Sequence, residues 1–386
     1  MSKSSNVYEH VHLLAEEFVQ TYYDKRVDPL KFQVIYQEKI EQLSLRLSRT
    51  VQAKALFTYV ETSIEELKGK LKSQELSSRD EELLKVEIDI LERAYNQKAF
   101  DYVKELVPFN TNIAQHAIFS ARSSNKVKEG ELSITANGVK AVHIKSKTGE
   151  ILNTYDAQVM AAIQSLWFKK NRGKISNTLK LKYIDILNEL SLTDGAKNYQ
   201  RIQNSLIRLK DIEVTLTQYQ SHKGAQYEEI ALTRLIDQIV FRRKVDSIVH
   251  FDREFEIKLP DWLVAANENG HFFDISLVLM NDLRSYLAQG LYWLMASYTE
   301  PEFIIELETL AAHFHFLEDD QSLSLPPFKI VERISQACEE LKQMGIIRNY
   351  QFTGKKRGLK ERNLLVVKNT FFVNPKENKQ LEINLD

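Results

Sequence analysis

The stretch AKNYQRIQNSLIRLKDIEVTLTQYQSHKGAQY, residues 196–227, changes its hydrophobic period in the middle. In its first half Ile202, Leu206 and Leu209 recur at helical spacing on one side. The second half alternates apolar and polar residues, as a half-buried strand does. A polar turn at residues 221–224 then precedes another extended run. A helix followed at once by a hairpin predicts the second half of a winged helix-turn-helix.

The first half of this unit is predicted directly upstream. Residues 181–190 read LKYIDILNEL, which indicates a short apolar helix. The turn that follows, residues 191–196, contains Gly195 and the capping candidates Thr193 and Asp194. The helix that begins near residue 196 is then the predicted recognition helix.

The predicted recognition helix carries long polar and basic side chains opposite its apolar stripe. These candidate DNA-binding residues are Lys197, Asn198, Arg201, Asn204 and Arg208. Because arginine pairs with guanine through two hydrogen bonds and asparagine pairs with adenine, Arg201 and Asn204 suit base contact. An ordinary solvated helix surface is the alternative interpretation.

The order of elements occurs twice. Residues 155–236 follow the order helix, strand, helix, helix and hairpin, and residues 283–367 repeat it. Residues 1–107 contain amphipathic helical stripes, which indicate either an internal bundle or a module for self-association or partner docking. The sequence therefore predicts a helix-rich α+β fold, with two tandem winged helix-turn-helix domains after an all-α N-terminal domain. The predicted domains are residues 1–107, 108–260 and 261–386.

Composition restricts the class of protein. The 386 residues allow two or three domains, and 43% hydrophobic residues allow packed cores. The single cysteine, Cys338, excludes an internal disulfide framework and fits a reducing compartment. We find no apolar window long enough for a membrane span and no apolar signal core at the N-terminus. We therefore expect a cytoplasmic protein without membrane contact.

Charge is distributed unevenly along the chain. The net charge is only -1, yet residues 167–210 hold ten basic and three acidic residues, and residues 354–362 hold five and one. Phosphate attraction acts within a Debye length of about 8 Å, so these regions suit DNA despite the net charge. The candidates on the first wing and its flank are Lys169, Lys170, Arg172, Lys174, His222 and Lys223. Those on the second helix and wing are Lys329, Arg333, Lys355, Lys356, Arg357 and Lys360, although a solvated hairpin is an alternative for the last four.

Four segments resemble the replication initiator proteins of theta-replicating plasmids, most closely the replication initiator protein A type. They are YDAQVMAAIQSLWFKKNRGKI (155–175), NYQRIQNSLIRLKDIEVTL (198–216), IKLPDWLVAANENGHFFDIS (257–276) and LRSYLAQGLYWLMASY (283–298). The resemblance covers roughly residues 107–372 and leaves the N-terminal helices uncovered. It rests on spaced core and basic positions and not on a catalytic signature.

The resemblance implies an initiator that binds repeated double-stranded origin sites, opens the adjacent duplex and recruits the replicative helicase. The implied partners are plasmid origin DNA and host helicase or initiator proteins, with a homodimer as a further expectation. No cofactor, metal or catalytic residue is expected, so the protein is predicted not to be an enzyme. A winged-helix transcriptional repressor is the first alternative.

The second alternative is a metal-dependent rolling-circle nicking endonuclease. It rests on His313-Phe314-His315, a His-hydrophobe-His pattern that would place both imidazoles on one face of a strand. The neighbouring apolar residues Leu307, Leu310 and Phe314 instead predict a helix. No P-loop motif is present, and Cys338 lies on the apolar stripe of its helix, as a core residue does.

Overall fold

A computed structural model describes most of the chain. The described residues are 3–23, 29–51, 53–73, 76–103, 106–121, 130–134, 142–147, 149–171, 176–222, 225–242, 254–316 and 322–369. The fold is a helix-rich mixture of helices and antiparallel sheets, as the sequence predicts.

The chain forms two compact units. One comprises residues 1–104 with 342–346, and the other comprises residues 105–341 with 347–386. The finer division at residues 107 and 260 stays a prediction.

The first unit is built from amphipathic helices. They are α1 Lys3–Phe18, α2 Pro29–Thr50, α3 Ala53–Ser73 and α4 Ser78–Val103, and a π-helical turn, Val19–Tyr23, follows α1. The apolar stripe of α1 is buried, with Val7 and Phe18 almost inaccessible. His12 in α1 contacts the buried Glu87 in α4 at 2.7 Å, so a polar pair as well as the core joins these helices. Burial raises the pKa of Glu87.

The chain after residue 105 alternates helices and strands. Its helices are α5 Thr111–Gln115, α6 Thr154–Lys170, α7 Tyr183–Glu189, α8 Ala196–Asp211, α9 Asp261–Glu268, α10 Leu277–Asp282, α11 Tyr286–Ala296, α12 Leu307–His313 and α13 Pro327–Gln343. Its strands are β1 Leu106–Asn110, β2 Glu131–Ile134, β3 Val142–Ser146, β4 Thr178–Lys182, β5 Ile212–His222, β6 Ala225–Thr233, β7 Gln238–Phe241, β8 Glu254–Lys258, β9 Phe272–Ser276, β10 Glu302–Glu306, β11 Ile347–Gly354 and β12 Arg362–Lys368.

Two segments of this chain share one order of elements. In the first repeat, residues 154–258, a long helix is followed by β4, α7 and α8. In the second repeat, residues 286–368, α11 is followed by β10, α12 and α13. The two three-stranded sheets have orders β4-β8-β7 and β10-β12-β11, so in both the first strand pairs with the last. The predicted internal repeat therefore extends to the sheet connections.

The hairpin after α8 lies in a different sheet from β4. The alternating residues 175–181 predict a strand that can pair with this hairpin, but β4 pairs with β8, while β5 pairs with β3 and β6. In the observed pairing, buried Val214 lies opposite buried Ile144. Buried Leu179 likewise lies opposite buried Ile257. The β5–β6 hairpin is thus an addition between α8 and the sheet of the first repeat, in a four-stranded sheet of order β2-β3-β5-β6.

A short sheet and an aromatic cluster join the two repeats within this unit. Strand β1 pairs with β9, which lies between the repeats in sequence. The indole of Trp293 in α11 lies 6.3 Å from the ring of Phe109 in β1 and 5.7 Å from that of Phe119. Helix α6 of the first repeat packs against β1 as well. The segment that separates the repeats is therefore folded and packed between them.

None of the described helices is long and apolar enough to span a membrane.

Candidate nucleic-acid interface

Helices α8 and α13 bury four matching positions. These side chains are Ile202, Ser205, Leu206 and Leu209 in α8, and Ile334, Ala337, Cys338 and Leu341 in α13, which also buries Ile330. Both sets have the spacing of one helix face, and an offset of 132 in residue number superimposes them. The same offset relates the N-cap residues of α6 and α11, Asn153 and Ser285. The two helices thus occupy equivalent positions in their repeats.

The exposed faces of the two helices match at this offset. Lys197 corresponds to Lys329, Arg201 to Arg333, and Asn204 to Gln336, and all six side chains are exposed. Each amide contacts the side chain four residues earlier: Gln200 donates to Asn204 at 2.9 Å, and Gln336 donates to Glu332 at 3.5 Å. We call these six residues the paired helix faces. Asn198, in contrast, donates to the Thr193 carbonyl at 2.8 Å, a contact that closes the turn before α8.

Arg208 lies in a contact that holds α8 in place. Its Nη2 and Nε atoms lie 2.7 and 3.1 Å from the two carboxylate oxygens of Asp156, which is completely buried in the first turn of α6. Only 15% of the Arg208 side chain is exposed. This geometry favours a structural role over the predicted DNA contact, so Arg208 is left out of the proposed interface.

Glu340, the counterpart of Arg208, performs the same task with the opposite charge. Its carboxylate accepts from the backbone N–H groups of Arg284 and Ser285 at 2.5 and 3.2 Å, just before α11 begins. A carboxylate suits this place because the first N–H groups of a helix lack partners within the helix. In both repeats a side chain near the end of one helix therefore fixes it to the start of the long helix.

Arg201 rests on an aromatic ring. Its guanidinium carbon lies 3.7 Å from the ring centroid of Tyr155, whose pKa is raised by burial. At the matching place the second repeat has Leu287, which lines a cavity of about 470 Å³ together with Arg333. A stacked guanidinium keeps its donor edge free for a hydrogen-bonding partner, and Leu287 cannot supply such a stacking contact to Arg333.

The predicted basic flank of the first repeat is largely ion-paired where the structure describes it. Lys169 contacts Glu189 at 2.5 Å, and Lys170 contacts the Lys180 carbonyl at 2.8 Å and Asp185 at 3.5 Å. His222 is the last residue of β5. Arg172, Lys174 and Lys223 lie outside the described residues. The number of basic residues therefore overstates the positive electrostatic potential of this flank.

The tip of the β11–β12 hairpin presents the basic residues predicted for the second wing. Lys355, Lys356, Arg357 and Lys360 are all exposed, and Lys355 contacts Glu361 at 2.7 Å. The tip begins at Gly354, whose φ of +85° favours glycine and whose added Cβ would lie 2.3 Å from the Glu361 carbonyl oxygen. Glycine is thus required at the position where this turn begins.

Tyr155, Asp156 and Glu340 are parts of the site that are not predicted from the sequence. A signal for Asp156 does exist: Asn153 and Asp156 have capping-box spacing, and both reciprocal hydrogen bonds form. Nothing in the local sequence indicates that Asp156 also binds Arg208, because that contact joins two helices.

The two histidines of the His-Phe-His pattern lie at the end of a helix. The predicted helix is confirmed, since α12 ends at His313. Burial, with His315 nearby, lowers the pKa of His313 to about 3, and His315 Nε2 donates to the Ala117 carbonyl at 2.6 Å. Within the described ranges no three His, Cys, Asp or Glu side chains form a group that could hold a metal ion. Cys338 is buried as predicted, and burial raises the pKa of its thiol to about 12.

The paired helix faces form a candidate nucleic-acid interface on a helix-rich α+β chain. The family model for replication initiator protein A matches residues 110–313, more than half of the chain, and the chain belongs to this family. The predicted resemblance is thereby confirmed.

Two crystal structures of domains 2 and 3 of RctB are similar to the chain. The first aligns with a TM-score of 0.46 and 13% sequence identity, and the alignment covers 67% of this chain and 98% of the RctB chain. The second aligns with a TM-score of 0.42 and 12% sequence identity, and the alignment covers 69% of this chain and 99% of the RctB chain. No curated protein sequence matches the chain.

Proposed function

We propose that this protein is a plasmid replication initiator whose two repeats are winged helix-turn-helix units that bind repeated double-stranded origin sites. The paired helix faces carry the proposal. Lys197, Arg201 and Asn204 recur as Lys329, Arg333 and Gln336 on an equivalent helix of the same compact unit. Family membership supports the role in replication initiation, and the basic hairpin tip supports phosphate contact.

Both repeats bind one duplex together in this proposal. Strand β9 and the Trp293 cluster pack between the repeats, so their orientation is fixed by a folded connection. Recognition helices that enter successive major grooves on one duplex face are about 34 Å apart. Two linked modules also gain affinity through effective concentration, by on the order of 100-fold or more.

The segment before the two repeats has a different role in this proposal. Residues 1–107 hold 16 basic and 19 acidic residues, so phosphate contact is electrostatically disfavoured and self-association or docking of a host protein is favoured. We propose that the protein also promotes origin opening and recruits the replicative helicase through binding alone, and membership of a replication initiator family supports this role. Footprinting on DNA that flanks the gene tests the proposal: iterated sites support it, whereas a single palindrome at a promoter supports a repressor.

Binding should weaken steeply as salt rises. If the full chain neutralises roughly six phosphates, the logarithm of the association constant falls with the logarithm of salt concentration at a slope near -5, because bound counterions are released. Fluorescence anisotropy with a labelled duplex from 50 to 300 mM salt measures the slope. A slope near zero contradicts phosphate-driven binding.

Lys356→Ala should weaken binding about equally on every DNA sequence and reduce the salt slope by about 1, because a phosphate contact carries no base information. Lys356 is exposed at the hairpin tip, and no ion pair engages it among the residues described. Lys72→Ala removes the same charge from α3 and is the matched control, with no expected change in slope. Loss of sequence discrimination in the Lys356 variant contradicts its assignment to phosphate.

A further inference from the structure

We infer that the two repeats read the same two-base signature, so that one binding site contains two half-sites that each present a guanine and a neighbouring adenine. Arg201 reads the guanine in one half-site and Arg333 reads it in the other; Asn204 and Gln336 read the adenines. The inference rests on the proposed function and specifies its target.

The chemistry follows from the matched side chains. Arginine donates two parallel hydrogen bonds to O6 and N7 of guanine, and both asparagine and glutamine bind N6 and N7 of adenine. Arg201 and Arg333 are identical, and Asn204 and Gln336 carry the same terminal amide. The change from Asn to Gln alters reach by one methylene and leaves the donor and acceptor pattern unchanged.

The spacing fits two neighbouring base pairs. The arginine and the amide are three residues apart in both helices, so they share one face and are separated by about 4.5 Å along the axis. This distance is close to the step of about 3.4 Å between successive base pairs. One helix face therefore spans both bases of the signature.

The surroundings give both helices the same position in their repeats. Each follows a seven-residue helix that begins directly after a five-residue strand. Each is fixed near its end to the start of the preceding long helix, by Arg208 in one repeat and by Glu340 in the other. Equivalent anchors direct equivalent faces outward, so the two arginines approach a groove in the same manner.

The two helices contribute different affinities at their half-sites. Helix α8 has four basic residues and one acidic residue, whereas α13 has three of each, with exposed Glu332 on the same face as Arg333. Tyr155 also orients Arg201, whereas the counterpart Leu287 has no ring. The half-site under α8 therefore contributes more affinity, while both half-sites share the base identities.

Selection of bound sequences from a randomised duplex pool tests the inference with the full chain. The wild-type protein should select two copies of the signature about 10 base pairs apart. Arg201→Ala should lower the guanine preference about tenfold or more in one copy, and Arg333→Ala should do so in the other copy. Arg201→Lys and Arg333→Lys keep the charge but lose the bidentate fork, so they should lose the same preference while retaining binding to unrelated DNA. Thermal unfolding of each variant should match the wild type.

The outcomes separate the inference from the proposed function. A wild-type motif with two unrelated halves overturns the inference alone, as does an Arg333→Ala variant that relaxes a base other than guanine or no base. A wild-type protein that enriches no sequence overturns the proposed function and the inference with it.

Discussion

The Asp156→Ala variant is expected to lose about 3–5 kcal/mol of unfolding free energy, because it removes one partner of a buried ion pair. The variant leaves the largely buried Arg208 guanidinium without its 2.7 Å contact and removes the capping carboxylate from the first turn of α6. All three tryptophans of the chain lie after residue 105, so their fluorescence during urea unfolding reports on the unit that contains the pair.

Two variants control for this effect. Asp156→Ala combined with Arg208→Met removes both charges and should recover part of the loss, because no uncompensated charge stays buried. Glu254→Ala breaks the exposed pair with Lys182, at 3.1 Å, and should cost at most about 1 kcal/mol. A loss below about 1 kcal/mol in the single Asp156 variant would show that the pair does not hold α8 in place.

Trp293→Ala should destabilise the same unit by about 3–5 kcal/mol, the range for truncating a large core side chain. The indole is 1% exposed and packs on Phe109 and Phe119, so its removal leaves a cavity between α11 and the segment that joins the repeats. Trp167 and Trp262 still report unfolding in the variant.

The matched substitution Trp293→Phe keeps an aromatic ring in contact with its neighbours and should lose clearly less stability. If the alanine and phenylalanine variants unfold at the same urea concentration, the aromatic cluster does not stabilise this unit. The expected order is wild type, phenylalanine variant and then alanine variant.

The sequence predicts which segments form helices and strands better than it predicts which strands pair in a sheet. Helical spacing identified the buried face of α8, with Ile202, Leu206 and Leu209, because side-chain period depends on local geometry. Alternation identified β5 as a strand, but alternation specifies which face is buried and not which strand lies alongside. The expectation that residues 175–181 pair with the hairpin is therefore wrong, whereas the predicted order of helices and strands is correct.

The same limit applies to the candidate site. Helical spacing predicts which side chains lie on the outer face of each helix. The structure confirms that four of these predicted residues are exposed: Lys197, Arg201, Lys329 and Arg333. Arg208 satisfied the same pattern, yet it binds Asp156, which lies 52 residues earlier in the chain. A charge count cannot distinguish the two situations, because pairing depends on which acidic groups the fold brings close.

Hydroxyl-radical footprinting of the full chain on a selected duplex tests most directly the claim that both repeats bind one DNA site. The account predicts two protected segments on one face of the duplex, centred about 10 base pairs apart. Arg333→Ala should weaken protection of one segment while the other stays protected. A single protected segment, unchanged by Arg333→Ala, would contradict joint binding by the two helices.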